Sequence, residues 1–242
     1  MTRFVVIASA RSGSNRLVEQ LCAQPDIWCH GEVLQRDKMP IKRGSADRLK
    51  QKLKNLRERD FDTFLRKIFK LSRGRPHSGF KVLLGQLGDR GSAAVLDEPD
   101  IRKIVLSRDN MLACYSSTLA ARETGAWNPV QMAKSERPLV RFGPLAFQAF
   151  QDKIASAYRV VSDRLEAGGQ TVHRVRTDEL NDNARIAALL AFLGAETEVV
   201  EPEMQSSRGP SDILSRFVNP ADAERYLREN DLMHWAHEAP QS

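Results

Sequence analysis

The stretch FVVIASARSGSNRL, residues 4–17, decides the fold of this chain. Val5 to Ala8 form the uninterrupted apolar run of a buried parallel strand, whose two faces are both covered. The small polar turn Arg11-Ser12-Gly13-Ser14-Asn15 follows, and Leu17, Val18 and Leu21 then recur at helical spacing. A strand passing through a glycine-containing turn into a helix aims several backbone N–H groups and the positive end of the helix dipole at one spot, where an anion binds. Ser12 and Ser14 add hydroxyl donors, and Arg11 adds a permanently charged planar fork. A nucleoside triphosphatase loop, G-x-x-x-x-G-K-[ST], needs a second glycine and a lysine that are missing here. Taken alone, the turn also reads as an ordinary strand-to-helix connection.

A second motif lies about a hundred residues on. In IRKIVLSRDNMLACYSS, residues 101–117, an apolar strand from Ile101 to Leu106 ends at Arg108 and leads into a helix. Asp109 is expected to cap that helix through its side-chain oxygen. Ser116, eight residues after Arg108, lies about two turns along it, placed to meet an anion held by Arg108. Both arginines follow strand ends, where open parallel sheets bind their ligands, so the two motifs are expected to face one nucleotide.

This pair of motifs resembles the sulfotransferases that use 3′-phosphoadenosine 5′-phosphosulfate (PAPS), and most closely their bacterial carbohydrate branch, which includes nodulation-factor and trehalose sulfotransferases. Further segments that fit are HGE at 30–32, GFK at 79–81, ARETGAW ending at Trp127, TDEL through AFLG at 177–194, and RGPSDILSRFVN at 208–219. The resemblance implies that Arg11, Ser12, Gly13, Ser14 and Asn15, with Arg16 as a further contact, bind the 5′-phosphosulfate. It implies that Arg108 and Ser116 bind the 3′-phosphate, with Arg208 in a C-terminal loop closing over it. PAPS is then the co-substrate, adenosine 3′,5′-bisphosphate the product, and a carbohydrate or glycolipid hydroxyl the acceptor. Arg11, standing where many relatives carry a lysine, would stabilise the charge that grows on the departing oxygen.

The acceptor hydroxyl also needs a proton acceptor, and the resemblance points to Glu32, because related enzymes place a glutamate base in that region. His30 is the rival base. It lies two residues away and would share a strand face with Glu32 if the segment is extended. Lys81 reads either as a residue approaching the site from a strand end or as an edge charge, and Trp127 either as a wall for a sugar or as a core plug. His77, His173, His234 and His237 carry no assigned role, and no spacing of His, Cys and carboxylates suggests a catalytic metal.

With 242 residues, 41% of them hydrophobic, the chain can bury a substantial core, and no composition break divides residues 1–242 into separate domains. Cys22, Cys29 and Cys114 are too few and too irregular for a disulfide framework, and read as buried thiols of a reducing compartment. Met1-Thr2-Arg3 leads directly into the first strand and no apolar run is long enough to span a membrane, so a cytosolic location is expected.

Strand candidates at 3–9, 79–84, 101–107 and 170–176 alternate with helix candidates at 14–24, 110–124, 145–167 and 183–193, which predicts an α/β fold. The expected architecture is a P-loop-like three-layer sandwich with a central parallel sheet and an inserted basic helical segment. Phe147, Phe150, Ile154, Tyr158, Val161 and Leu165 step by three or four and are expected to form a core stripe, not a site.

The insertion, residues 41–75, holds thirteen Lys or Arg against four acids, whereas the whole chain carries a net charge of only +6. Leu49, Leu53, Leu56, Phe61, Phe64, Leu65 and Ile68 give it two amphipathic helices with a basic outer face. It reads as a solvated hairpin, or as an acceptor-side lid that attracts an anionic glycan or an anionic membrane surface. Its apolar face over 61–69 would either make a dimer or pack internally. The pI of about 9.4 suits nucleic acid, but aromatics for stacking are sparse and no nucleic-acid motif is present, so no nucleic-acid partner is expected. Two other classes compete: a P-loop kinase-like ATP-dependent transferase, which would want a Walker lysine, and a non-catalytic module docking on anionic surfaces.

Overall fold

The computed structural model describes residues 1–36, 39–41, 47–127, 137–202 and 211–238. Five strands, β1 (Thr2–Ala8), β2 (Ile27–Glu32), β3 (His77–Leu83), β4 (Ile101–Ser107) and β5 (Val172–Arg176), form one sheet in the order β2-β3-β1-β4-β5. Every neighbouring pair is parallel. The central strand β1 is the one whose sequence is apolar without interruption, and Phe4 to Ala8 are fully buried.

Helices cover both faces. On one side α1 (Ser14–Ala23) and α7 (Asn183–Leu193) pack Leu17, Leu21, Ile186, Leu189 and Leu193 against Phe4, Val6 and Ala8. On the other, α2 (Asp47–Arg59), α3 (Phe61–Lys70), α4 (Asp89–Val95) and α6 (Pro144–Ala167) cover Val5, Ile7, Phe80 and Val82. The apolar face over 61–69 therefore packs internally: Phe64, Ile68 and Phe69 are buried in this core. The outer face of α2 and α3 exposes Arg48, Lys52, Arg59, Arg66, Lys67 and Lys70, as the charge pattern predicts. A third cluster joins α5 (Met111–Thr124) and the start of α6 to α8 (Pro220–Glu229) and two short 3-10 turns, Leu214–Arg216 and Met233–Ala236. That cluster brings residues 233–238 to the carboxyl edge of the sheet.

Three local expectations are corrected. The cap of α5 is Asn110, whose side chain accepts from the Ala113 N–H at 2.9 Å, while Asp109 stands largely exposed beside Arg176. His30 and Glu32 do not share a face. His30 pairs with Phe80 and Glu32 with Lys81, so a bulge at Gly31 takes up one residue and turns Glu32 to the α1 side of the sheet. The α6 stripe is core at Phe147, Val161 and Leu165, but Tyr158 within it does reach the site, as described below. Among the described residues no helix is long and apolar enough to cross a membrane.

Candidate active site

Beyond the carboxyl ends of β1, β3, β4 and β5 lies a cavity of about 710 Å³, within the size range of ligand sites. Its floor is the β1–α1 turn. Arg11 and Gly13 both take positive φ, at 63° and 80°, which folds the chain tightly enough to present the start of α1. Gly13 precedes α1 without any side-chain cap, and Gly13, Ser14, Asn15 and Arg16 line the cavity. The first N–H groups of a helix have no intrahelical partner. They are here directed at the cavity, the arrangement that suits an oxyanion.

The turn is held from three sides. Ser12 Oγ donates to the Ser9 carbonyl at 2.8 Å. Tyr158 Oη accepts from the Ser9 N–H at 2.9 Å and donates to the Leu106 carbonyl at 2.5 Å, tying the turn to the end of β4. Thr177, at the end of β5, directs its hydroxyl at the carbonyls of Ser12 and Ser107, at 2.5 and 2.9 Å. Its methyl sits where a side chain at position 13 would go: a Cβ on Gly13 would lie 2.8 Å from Thr177 Cγ2. Ser12 is therefore fully buried and braces the turn, while Ser14 faces the cavity.

The two sequence motifs meet. Arg108 Nη1 donates to the Arg11 carbonyl at 3.1 Å, and Arg108 Nη2 donates to the Glu238 carboxylate at 2.6 Å. Arg216 Nη2 donates to the same carboxylate at 2.9 Å. Arg11 itself donates from Nε to Ser117 Oγ at 2.8 Å and from Nη1 to the Trp127 carbonyl at 3.1 Å. Arg137 donates to Ser117 Oγ at 3.3 Å. Burial, followed by the positive charge of Arg216 and Arg11, pushes the Arg137 pKa down to about 10. Burial, then Arg108, lowers that of Arg11 as well. Five guanidiniums, those of Arg11, Arg16, Arg108, Arg137 and Arg216, line one cavity, an arrangement that favours an added anion.

Ser116 is placed differently from its neighbour. Its hydroxyl donates to the Ala113 carbonyl at 3.2 Å inside α5, and it does not line the cavity, whereas Ser117 does. One helical step of 100° separates the two.

At the other end of the cavity stands Glu32. Its carboxylate pairs with Lys81 Nζ at 2.9 Å and accepts from Gln86 Nε2 at 2.8 Å. Lys81, only 3% exposed, also donates to Asn15 Oδ1 at 2.6 Å and so joins Glu32 to the turn. Lys81 is thus a site residue and not an edge charge. His30 is buried, stacks edge-on against Trp28 with ring centroids 6.0 Å apart, and does not line the cavity. Arg57 of α2 donates to the carbonyls of Val33, Gln35 and Arg36, each at 2.7 Å, and shapes the chain that follows Glu32.

Arg16 turns inward: it is buried, lines the cavity and donates to the Leu180 carbonyl at 3.3 Å. Trp127 is 46% exposed and lines the cavity, a wall and not a core plug. His234 and His237 line it as well, while His77 and His173 do not. Arg208 lies outside the described residues. Sequence reasoning missed Ser117, Arg137, Tyr158, Arg216 and Glu238. Arg216 sits in the quoted 208–219 segment, Ser117 ends the quoted 101–117 segment and Tyr158 belongs to the helical stripe, but nothing local marks them as site residues, and Arg137 and Glu238 lie in no quoted segment. Among the described residues no group of three or more His, Cys, Asp or Glu side chains could hold a metal ion.

Fold and site together describe a P-loop-like α/β protein with an arginine-lined cavity suited to an anion, and known proteins of that architecture resemble it. The chain is 27% identical to Nodulation protein H of Rhizobium tropici over 195 residues, 79% of this chain and 75% of that protein. The crystal structure of a sulfotransferase from Alicyclobacillus acidocaldarius shares the fold, with a TM-score of 0.50 at 21% identity, covering 97% of this chain and 98% of that one. A sulfotransferase domain from the curacin biosynthetic pathway superposes at a TM-score of 0.47 and 14% identity, over 86% and 81% of the two chains. No protein-family model matches the chain. The family resemblance carried by the two motifs and the P-loop-like α/β architecture it implied are borne out.

Proposed function

We propose that this enzyme transfers the sulfuryl group of PAPS to a hydroxyl of a carbohydrate or glycolipid acceptor, with Glu32 as general base. The observation that carries the reading is the hydrogen bond from Arg108 to the Arg11 carbonyl, 97 residues apart in sequence, which joins both anion motifs in one cavity. The fit to a doubly anionic nucleotide is tested by Arg108 itself, whose fork already grips an oxyanion, the Glu238 carboxylate.

In this reading the start of α1, with Arg11, Ser14 and Asn15, holds the 5′-phosphosulfate. Arg108 and Arg216 hold the 3′-phosphate. PAPS supplies an activated sulfuryl group, and the residues of this chain orient it and balance its charge. Negative charge grows on the oxygen that leaves, and the Arg11 guanidinium, permanently charged, stabilises it without giving up a proton. The attacking hydroxyl passes its proton to the Glu32 carboxylate, which Lys81 and Gln86 hold at the mouth of the turn. Trp127 offers an apolar face against which a sugar ring packs. The carbohydrate assignment rests on the sequence resemblance, and the basic outer face of α2 and α3 is proposed to draw in an anionic glycan or membrane surface.

Calorimetry with adenosine 3′,5′-bisphosphate, AMP and ATP tests the donor assignment. Binding of the bisphosphate alone, lost in Arg108→Ala, is the expected result. Preference for ATP in a folded protein would favour the kinase-like class instead.

A further inference from the structure

Glu238 is a cavity carboxylate to which the proposed sulfuryl transfer gives no role. Glu238 follows the 3-10 turn Met233–Ala236, and its backbone N–H donates to the Ser211 carbonyl at 2.8 Å. The Asp212–His237 bridge pins the same segment. Its side chain projects into the cavity between Arg108 and Arg216 and accepts from both, at 2.6 and 2.9 Å. The three side chains are only 19, 17 and 4% exposed, so the cluster is shielded from water. Burial works to raise the Glu238 pKa, but the guanidiniums of Arg108 and Arg216 outweigh it and hold the carboxyl below its usual value.

A carboxylate gripped by guanidiniums presents nearly the geometry and charge pattern of a phosphate held by the same groups. We propose that Glu238 is an internal competitor of the donor nucleotide: its carboxylate fills the Arg108–Arg216 fork that the 3′-phosphate takes. The inference rests on the donor assignment above. Binding then requires the Glu238 side chain to swing out of the fork, and only the fraction of molecules in which it has done so is competent. After transfer, its return to the fork helps expel the bisphosphate product. Two buried arginines also need a counter-charge, because an uncompensated buried charge is costly, and the Glu238 carboxylate supplies it.

The discriminating measurement is the affinity of adenosine 3′,5′-bisphosphate and of AMP for the wild type, Glu238→Gln and Glu238→Ala. Freeing the fork is expected to tighten bisphosphate binding by about tenfold or more in both variants, the fraction-competent factor, and to change AMP binding less than about twofold. Unchanged or weaker bisphosphate binding in variants that circular dichroism shows to be folded would overturn the competitor role and leave the donor assignment intact. Bisphosphate binding by none of the proteins would overturn both. Hydrogen exchange on the wild type gives a reading that needs no variant. Bisphosphate should protect the Arg11–Arg16 amides and speed exchange over residues 234–238, whereas protection of both segments would overturn the swing.

Discussion

Lys81 Nζ lies 2.9 Å from Glu32 Oε1 and 2.6 Å from Asn15 Oδ1, so a single buried ammonium links the proposed base to the anion-binding turn. The Glu32 contact depends on the bulge at Gly31, which lets Glu32 pair with Lys81 and not follow His30 to the opposite face. The relationship separates two functions that sit close together. In the proposed mechanism the turn holds charge and Glu32 handles a proton, and Lys81 fixes the distance between them.

Glu32→Gln should therefore lower turnover by about 10²- to 10⁴-fold, the usual contribution of a general base, with the bisphosphate dissociation constant nearly unchanged. His30→Gln should leave the rate within a few-fold of wild type, because His30 does not line the cavity. Steady-state rates set beside calorimetry check both. A larger loss in the His30 variant than in the Glu32 variant would transfer the base role.

Arg108→Lys keeps the charge but loses the fork that reaches the Arg11 carbonyl and the Glu238 carboxylate together. Losing one charge-assisted hydrogen bond removes about 1.5–3 kcal/mol, so bisphosphate affinity should fall at least about tenfold. A titration of the variant against the wild type decides it.

Gly13→Ala should destabilise the protein by about 1–3 kcal/mol, from a left-handed backbone that alanine resists and from the approach to Thr177 Cγ2 at 2.8 Å. Thr177→Ser removes that methyl and keeps the hydroxyl on the Ser12 and Ser107 carbonyls. In the double variant the steric part of the loss should return and the backbone part should not. Denaturant melts of the four proteins form the cycle.

Phe64→Ala should cost about 3–5 kcal/mol, because Phe64 is fully buried in the core beneath the sheet. The exposed triple variant Lys52→Glu, Lys67→Glu and Lys70→Glu should stay within about 0.5 kcal/mol per site of wild-type stability. If the outer face recruits anions, that variant loses binding to vesicles containing phosphatidylglycerol. Equal vesicle binding by both proteins would leave the hairpin a purely structural cover.

Burial pushes the Cys114 thiol up to about 11, so its thiolate is scarce at neutral and mildly alkaline pH. Iodoacetamide at pH 8 should alkylate the partly exposed Cys22 first and leave Cys114 unmodified until the protein unfolds. Peptide mass spectrometry of the time course reads this out.

Strands β1, β3, β4 and β5 and helices α1, α2, α3, α5, α6 and α7 were legible because each is encoded by its own residues, whereas β2, α4 and α8 were not among the elements read from the sequence. The period-free run Val5–Ala8 marks the central strand, and the three-and-four spacing of Phe147, Phe150, Ile154, Tyr158, Val161 and Leu165 marks α6. Both anion motifs were legible for the same reason, since a strand end, a turn and a helix start are consecutive in the chain. Sequence alone thus determined the α/β class, the position of the anion-binding turn, the arginine after β4 and the basic hairpin. Only the tertiary structure decided which side chains meet in the cavity. Glu238 reaches Arg108 across 130 residues of chain and Arg216 across 22, and Tyr158 reaches Ser9 across 149. A one-residue bulge chose Glu32 over His30, and one step of helical rotation chose Ser117 over Ser116 for the cavity wall. Local periodicity records the torsions and burial of a segment. Convergence depends on how whole layers pack, and no single segment carries that information.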